Sequence, residues 1–373
     1  MARLIDRLAG RRVIVCVGAG GVGKTTVAAA IGLRRALDGG RVLVCTIDPA
    51  RRLANALGLA ALGNVETRVP EHAFAEAGLT PRGELHAMML DVKRTWDDLV
   101  ARHAHDPAQR ERILRNRLYR QMSGALAGSQ EYMATEKLYE LATERDYDLV
   151  VLDTPPTAHA LDFLDAPDRI LDFLGDDTAR ALLSPAAGAG RMGLRLMQLG
   201  GSYIAKTLAK FTGAEALDDL GDFLRGFHGM YEGFKDRAEA VRTLLSHPDA
   251  GFVLVTSPAS AAIDEALAFH ERLHAESMPI AGMVVNRVTP SLWDGPGPLP
   301  SATELATLLP AEGDGELAAR LAEALAEHQL MTAADREAVA RAIEPLDAPH
   351  AVVPRIEEAV NDLAGLARIA GCL

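Results

Sequence analysis

Residues 18–25 read GAGGVGKT and satisfy the pattern G-x-x-x-x-G-K-S/T in full. A segment of this kind binds phosphate. Gly20, Gly21 and Gly23 permit the dihedrals that turn peptide N–H groups inward to form an anion nest, to which Val22 adds its own amide. Lys24 can reach β- and γ-phosphates, the Thr25 hydroxyl can ligate Mg²⁺, and Thr26 can donate to an α-phosphate. Two acidic segments can serve the same phosphates: TIDPA at 46–50, with Asp48, and DTPPTAH at 153–159, with Asp153. One carboxylate can hold a metal's water shell while the other orients an attacking water. A lone aspartate after a strand is usually a helix N-cap, but two of them beside a complete phosphate loop favour function.

These residues need elements that bring them together. The loop follows an apolar run, Val13–Val17, and opens an alanine-rich helical stretch at 27–37. Further short apolar runs at 42–47 (VLVCTI), 149–152 (LVVL), 252–255 (FVLV), 283–285 and 351–353 read as strands. They are apolar throughout rather than alternating, as in a parallel sheet covered on both faces. Helical segments fall between them, so the fold class is α/β: a doubly wound, mainly parallel sheet. Ligands of such sheets sit beyond the carboxyl ends of the strands, which is where both aspartates fall. The chain reads as a single P-loop domain over 1–373, with helical insertions at about 84–125 and 167–246. The first belongs to a longer stretch, 84–144, that is helical by composition. In the second, Leu217, Leu220, Leu224, Phe227, Tyr231 and Phe234 recur at three and four and draw one amphipathic helix. Residues 289–300 (TPSLWDGPGPLP) form a Pro/Gly loop.

Composition narrows the partners. Hydrophobic residues are 49 % and charged ones 24 % of 373, so a real core is available. Lys plus Arg is 39 against 51 Asp plus Glu, a net charge of −12, which argues against general nucleic-acid binding. Cys16, Cys45 and Cys372 lie far apart without a CxxC pair, so neither a disulfide framework nor a zinc site made of cysteines alone is expected. Their use fits a reducing, cytoplasmic location. The first twelve residues carry four arginines and no long apolar stretch, unlike a secretory signal, and no apolar run has the length of a membrane span.

The blocks AGGVGKTT at 19–26, TIDPA at 46–50 and DTPPTAHAL at 153–161 resemble the ArsA-like ATPases, the arsenite-pump and tail-anchored-protein-targeting family. So do GSQE at 128–131, VVNRV at 284–288 and VPRIEEAV at 353–360. The family belongs to the deviant-Walker P-loop class that also holds MinD, ParA and nitrogenase iron protein. The resemblance implies ATP and Mg²⁺ as cofactors, with Asp48 activating water, Asp153 holding Mg²⁺ through water, and Pro156, Thr157 and His159 moving with the γ-phosphate. It implies that Asn286 reads the adenine edge and that Pro354 and Arg355 pack on the base, so loss of Asn286 should weaken ATP more than pyrophosphate. It also implies a dimer that binds ATP at its interface, opening and closing as it hydrolyses slowly.

Three departures shape the expectation. The family's signature lysine, which reaches the nucleotide across the dimer, is Ala19 here. The adjacent Arg51 and Arg52 stand where a phosphate-sensing loop could use them instead, in cis or across the dimer. The targeting branch's CxxC after the adenine asparagine is missing, and Cys16 and Cys45 lie on strands, where thiols behave as small hydrophobes. Around Gly200-Gly201, the Met- and Leu-rich segments 191–199 and 203–211 form a client groove, an amphipathic pair over the protein's own core, or a peripheral membrane helix. The leading expectation is a Mg-dependent ATPase that works as a nucleotide-gated dimeric switch for a protein or membrane-associated client. The alternatives are an ATP-binding subunit paired with a paralogue in a heterodimer, and an arsenite-efflux ATPase.

Overall fold

The computed structural model describes residues 3–47, 52–104, 106–123, 129–154, 231–293, 297–309, 315–356 and 360–373. These form two compact units. The first contains an eight-stranded sheet: β1 Val13–Val17, β2 Arg41–Thr46, β3 Thr67–Arg68, β4 Glu84–Met89, β5 Leu149–Asp153, β6 Ala250–Thr256, β7 Ile280–Val288 and β8 His350–Pro354. The order across the sheet is β3-β4-β2-β5-β1-β6-β7-β8. The pairs from β2 through β8 are parallel, and β3 runs antiparallel to β4. This is the doubly wound, mainly parallel α/β sheet that the continuous apolar runs predict. All five residues of β1 and all seven of β6 are buried, because helices cover both faces.

Around the sheet lie α1 Leu4–Leu8, α2 Lys24–Leu37, α3 Arg52–Ala56 and α4 Glu71–Glu76. Helix α2 presents Val27, Ala28, Ala29, Ala30, Ile31 and Leu33 to the core. Its small residues bring its backbone close to the sheet: a Cβ on Gly32 would collide with Val44 of β2.

The segment beginning at Glu84 corrects the sequence reading. Residues 84–89 are strand, and helix begins only at Val92. ELHAMM carries no β-branched residue, so its composition reads as helix. Its strand state comes instead from pairing and burial, with Leu85, Ala87 and Met88 inside. The two residues of β3 close this edge with an exposed Arg68, a short and charged border of the kind that discourages further pairing.

The second unit contains α5 Val92–His103, α6 Pro107–Arg115, α7 Arg117–Met122, α8 Ser129–Glu144 and α9 Tyr231–Ser246. Trp96 packs on Tyr132 and Phe234 with ring centroids 6.0 and 6.2 Å apart. Arg237 donates to both carboxylate oxygens of buried Glu136, at 2.8 and 2.9 Å, and lies 4.0 Å over the Tyr139 ring. The Leu217–Phe227 part of the expected amphipathic helix, the 191–211 segments, and Pro156, Thr157 and His159 lie outside the described residues. In the first unit, α10 Ser260–Ala275, α11 Ala302–Leu308, α12 Gly315–Ile343 and α13 Leu363–Cys372 complete the described elements. The described parts of 289–300 contain neither helix nor strand, as the Pro/Gly composition predicts.

Candidate functional site

Strand β1 ends at Val17, and α2 starts at Lys24 with Gly23 as its N-cap. The intervening loop takes left-handed dihedrals at Gly18, Gly21 and Gly23, with φ of 148°, 78° and 99°. Positive φ at glycine is the backbone conformation from which anion nests are built, and the N-terminus of α2 follows the loop directly. Two of the glycines are also required by crowding. A Cβ on Gly18 would strike the Val255 carbonyl of β6, and one on Gly23 would strike the Asn286 amide nitrogen.

Lys24 is buried, and its Nζ donates to the carbonyls of Gly18 at 2.8 Å and Ala19 at 2.9 Å. The ammonium therefore lies across the first half of the loop. Thr25 Oγ1 donates to Asp153 Oδ2 at 2.7 Å, and Thr46 Oγ1 donates to the same oxygen at 2.8 Å. Asp153 is 1 % exposed. The sheet register delivers it, since Cys16 pairs with Asp153 across β1 and β5 and Thr46 pairs with Asp153 across β2 and β5. Thr154 Oγ1 donates to the Cys16 carbonyl at 2.8 Å and pins the chain just after the carboxylate. The hydroxyl and carboxylate are hard oxygen donors side by side, the donor chemistry that suits Mg²⁺. Thr26 is half-buried in the first turn of α2.

On the other side, β7 brings up Asn286, which is 6 % exposed. Its Nδ2 donates to the Val22 carbonyl at 2.8 Å, and its Oδ1 accepts from the Arg287 N–H at 3.0 Å. Asn286 thus holds the phosphate loop itself, a contact that the adenine-reading expectation does not contain. Pro354 ends the neighbouring strand β8, and the Arg355 N–H donates to the Val288 carbonyl at 2.8 Å. Both residues are exposed at the strand end that carries Asn286. Asp48 and Arg51 lie outside the described residues, while Arg52 is the exposed first residue of α3.

The structure therefore brings together Gly20, Gly21, Val22, Gly23, Lys24, Thr25, Asp153 and Asn286, all at the carboxyl ends of strands. Thr46, Thr154 and Arg287 join them, and sequence reasoning missed all three. Thr46 stands two residues before Asp48, and Arg287 follows Asn286 directly, so their only sequence signal was adjacency. The cysteines are separated: Cys16 on β1, Cys45 on β2 and Cys372 on α13, the first two buried. Burial and the nearby Asp153 push the Cys16 thiol well up, and Lys24 only partly opposes this. Among the described residues no group of three or more His, Cys, Asp or Glu is placed to hold a metal ion. No described helix is long and apolar enough to cross a membrane.

A parallel sheet whose first strand runs into a glycine-turned anion nest, then a lysine and a threonine opening the next helix, defines a P-loop nucleotide-binding fold. The family described as anion-transporting ATPase matches residues 11–295. The ATPase GET3C of Arabidopsis thaliana is 25 % identical over 291 residues, covering 75 % of this chain and 68 % of that protein. The ATPase GET3 of Kluyveromyces lactis is 26 % identical over 268 residues, covering 66 % of this chain and 72 % of that protein. The chain belongs to the anion-transporting, or ArsA-like, ATPase family.

Proposed function

We propose that this chain is a Mg-dependent ATPase, cytoplasmic and dimeric, whose nucleotide state gates a protein or membrane-associated client. The observations that support it most are the bonds of Lys24 to the loop carbonyls of Gly18 and Ala19 and of Thr25 and Thr46 to one oxygen of Asp153. In this reading the amides of residues 20–25 bind the phosphates and Lys24 neutralises the β- and γ-phosphates. Thr25 and Asp153 would hold Mg²⁺, which when bound withdraws charge from the phosphate oxygens. Asp48 orients the water that attacks the γ-phosphorus in line and accepts its proton, and ADP leaves as the bond to the bridging oxygen breaks. Asn286, Pro354 and Arg355 form the base side.

A second reading has support in Ala19, which is small and nine-tenths buried among core residues. A chain without a cationic side chain at this position could be the ATP-binding member of a heterodimer with a paralogue. Arsenite efflux finds no comparable support, because the three cysteines sit on three separate elements. The test is steady-state phosphate release by the purified chain against Lys24→Ala, with the mass in solution measured with and without ATP. Turnover above that control and an ATP-dependent dimer support the first reading. Binding without turnover favours the partner subunit, and absence of ATP binding overturns both. If Arg51 or Arg52 replaces the missing lysine across a homodimer, mixing Arg51→Ala or Arg52→Ala protein with Asp48→Asn protein restores activity. If the arginine acts in cis, mixing restores none.

A further inference from the structure

Arg287 is held in a way that nothing in its strand requires. Its φ is 63°, and Ser277 alone among the described non-glycine residues shares a positive value. Ser277 follows the end of α10, where such a conformation is ordinary. Arg287 instead interrupts a strand, at a register shift between Asn286 and Val288 in the pairing with β8. It is the exposed residue in a run otherwise buried from Ala281 to Val288. Bulges of this kind re-aim a side chain, and a left-handed non-glycine residue is strain that local structure must hold in place. Here the re-aimed guanidinium reaches the phosphate loop and donates through one terminal nitrogen to the Gly21 carbonyl at 2.7 Å.

The next residue of the loop is held by the preceding residue of the strand, since Asn286 Nδ2 binds the Val22 carbonyl and Asn286 Oδ1 takes the Arg287 N–H. Two consecutive side chains thus hold two consecutive loop carbonyls. In a trans peptide the carbonyl and the following N–H point in opposite directions. Drawing the Gly21 carbonyl toward β7 therefore turns the Val22 N–H away from β7. Drawing the Val22 carbonyl the same way does the same to the Gly23 N–H. We propose that Arg287 is a positioning residue of the phosphate loop, fixing the Val22 amide for a polyphosphate and adding a permanent positive charge at the loop tip. The proposal rests on the nucleotide-binding reading above.

Arg287→Gly separates the side chain from the strain, because glycine accepts the left-handed backbone. Calorimetry with Mg-ATP and with inorganic tripolyphosphate, which has no base, reads the effect. Both dissociation constants are expected to rise by the same factor, about tenfold, the size of a charge-assisted contact. The dependence of affinity on salt should become shallower. The unfolding midpoint should stay at or above that of the parent, and in turnover KM should rise while kcat at saturation holds. Arg287→Lys, which keeps charge without the planar fork, should recover part of the loss at low salt. Parental affinity for tripolyphosphate in Arg287→Gly overturns the proposal. So does weakened ATP binding with tripolyphosphate unchanged, which would put Arg287 on the base. A parent that binds neither probe overturns the nucleotide reading, and the proposal with it.

Discussion

Gly23 meets two independent constraints, and Gly23→Ala is expected to show both. The backbone there has φ of 99°, where a Cβ is strained by about 1–2 kcal/mol. The same Cβ would also collide with Asn286 Nδ2. Relieving the collision pulls Asn286 from the Val22 carbonyl and leaves a buried amide unsatisfied, costing a further 1–3 kcal/mol or so. The sum is about 2–5 kcal/mol. Gly21→Ala provides the comparison: its φ of 78° brings strain, but no atom lies within 4 Å of the added carbon. Urea unfolding followed by circular dichroism should place Gly21→Ala about 1–2 kcal/mol below the parent and Gly23→Ala clearly lower. Since about 1.4 kcal/mol is a decade in affinity, loop distortion in Gly23→Ala should weaken ATP binding more than tenfold in calorimetry. If Gly23→Ala is no less stable than Gly21→Ala and binds ATP as well, the contact between β7 and the loop does not govern the site.

Lys24→Ala should remove measurable ATP binding in calorimetry, because it deletes the charge lying across the loop at Gly18 and Ala19; unchanged affinity would refute the phosphate-loop role. Asp48→Asn should bind ATP nearly normally and release phosphate far more slowly, since an amide cannot take the proton of the attacking water; turnover within about threefold of the parent would leave Asp48 a helix cap. Asn286→Ala should weaken pyrophosphate as well as ATP, because Nδ2 holds Val22; a loss confined to ATP would return Asn286 to the base alone. Burial first, then Arg102 and Arg237, lower the His103 pKa below its usual value near 6.5. Between that value and the lower folded one the unfolded chain binds more protons, so stability should fall as pH drops through about 6.5. His103→Phe should flatten that slope in unfolding measurements at several pH values, and an unchanged slope would count against His103 as a source.

The legible part of this protein is local. The phosphate loop could be read because a left-handed nest needs glycines and its chemistry needs Lys24 and Thr25 within one continuous segment. β1 and β6 could be read because a strand buried on both faces must be apolar along its length. What was hidden depends on distant pairing. Glu84–Met89 has a helical composition, and only its burial within the sheet makes it strand. The bond from Asn286 to Val22 joins residues 264 apart in sequence. No feature of VVNRV indicates that its arginine is left-handed. Thr46 illustrates the middle case: the apolar run predicts the end of β2 to within a residue, yet its hydroxyl bond to Asp153 follows only from the order in which β5 lies between β1 and β2.

That strand order also explains how the second half of the loop is held. Lys24 takes Gly18 and Ala19 from the helix that follows, Arg287 takes Gly21, Asn286 takes Val22, and Asp153 takes Thr25. The last three restraints come from strands on opposite sides of β1, which carries the loop. No restraint duplicates another, because each fixes a different peptide group or side chain. Loss of one side chain should loosen one stretch of the nest while the others keep their places, so its effect on affinity should be graded. Arg287 and Asn286 are the exception: they are adjacent, bonded to each other, and hold neighbouring carbonyls. Their removal together should therefore depart from the sum of the single effects, whereas pairing either one with Thr25→Val should come closer to additivity.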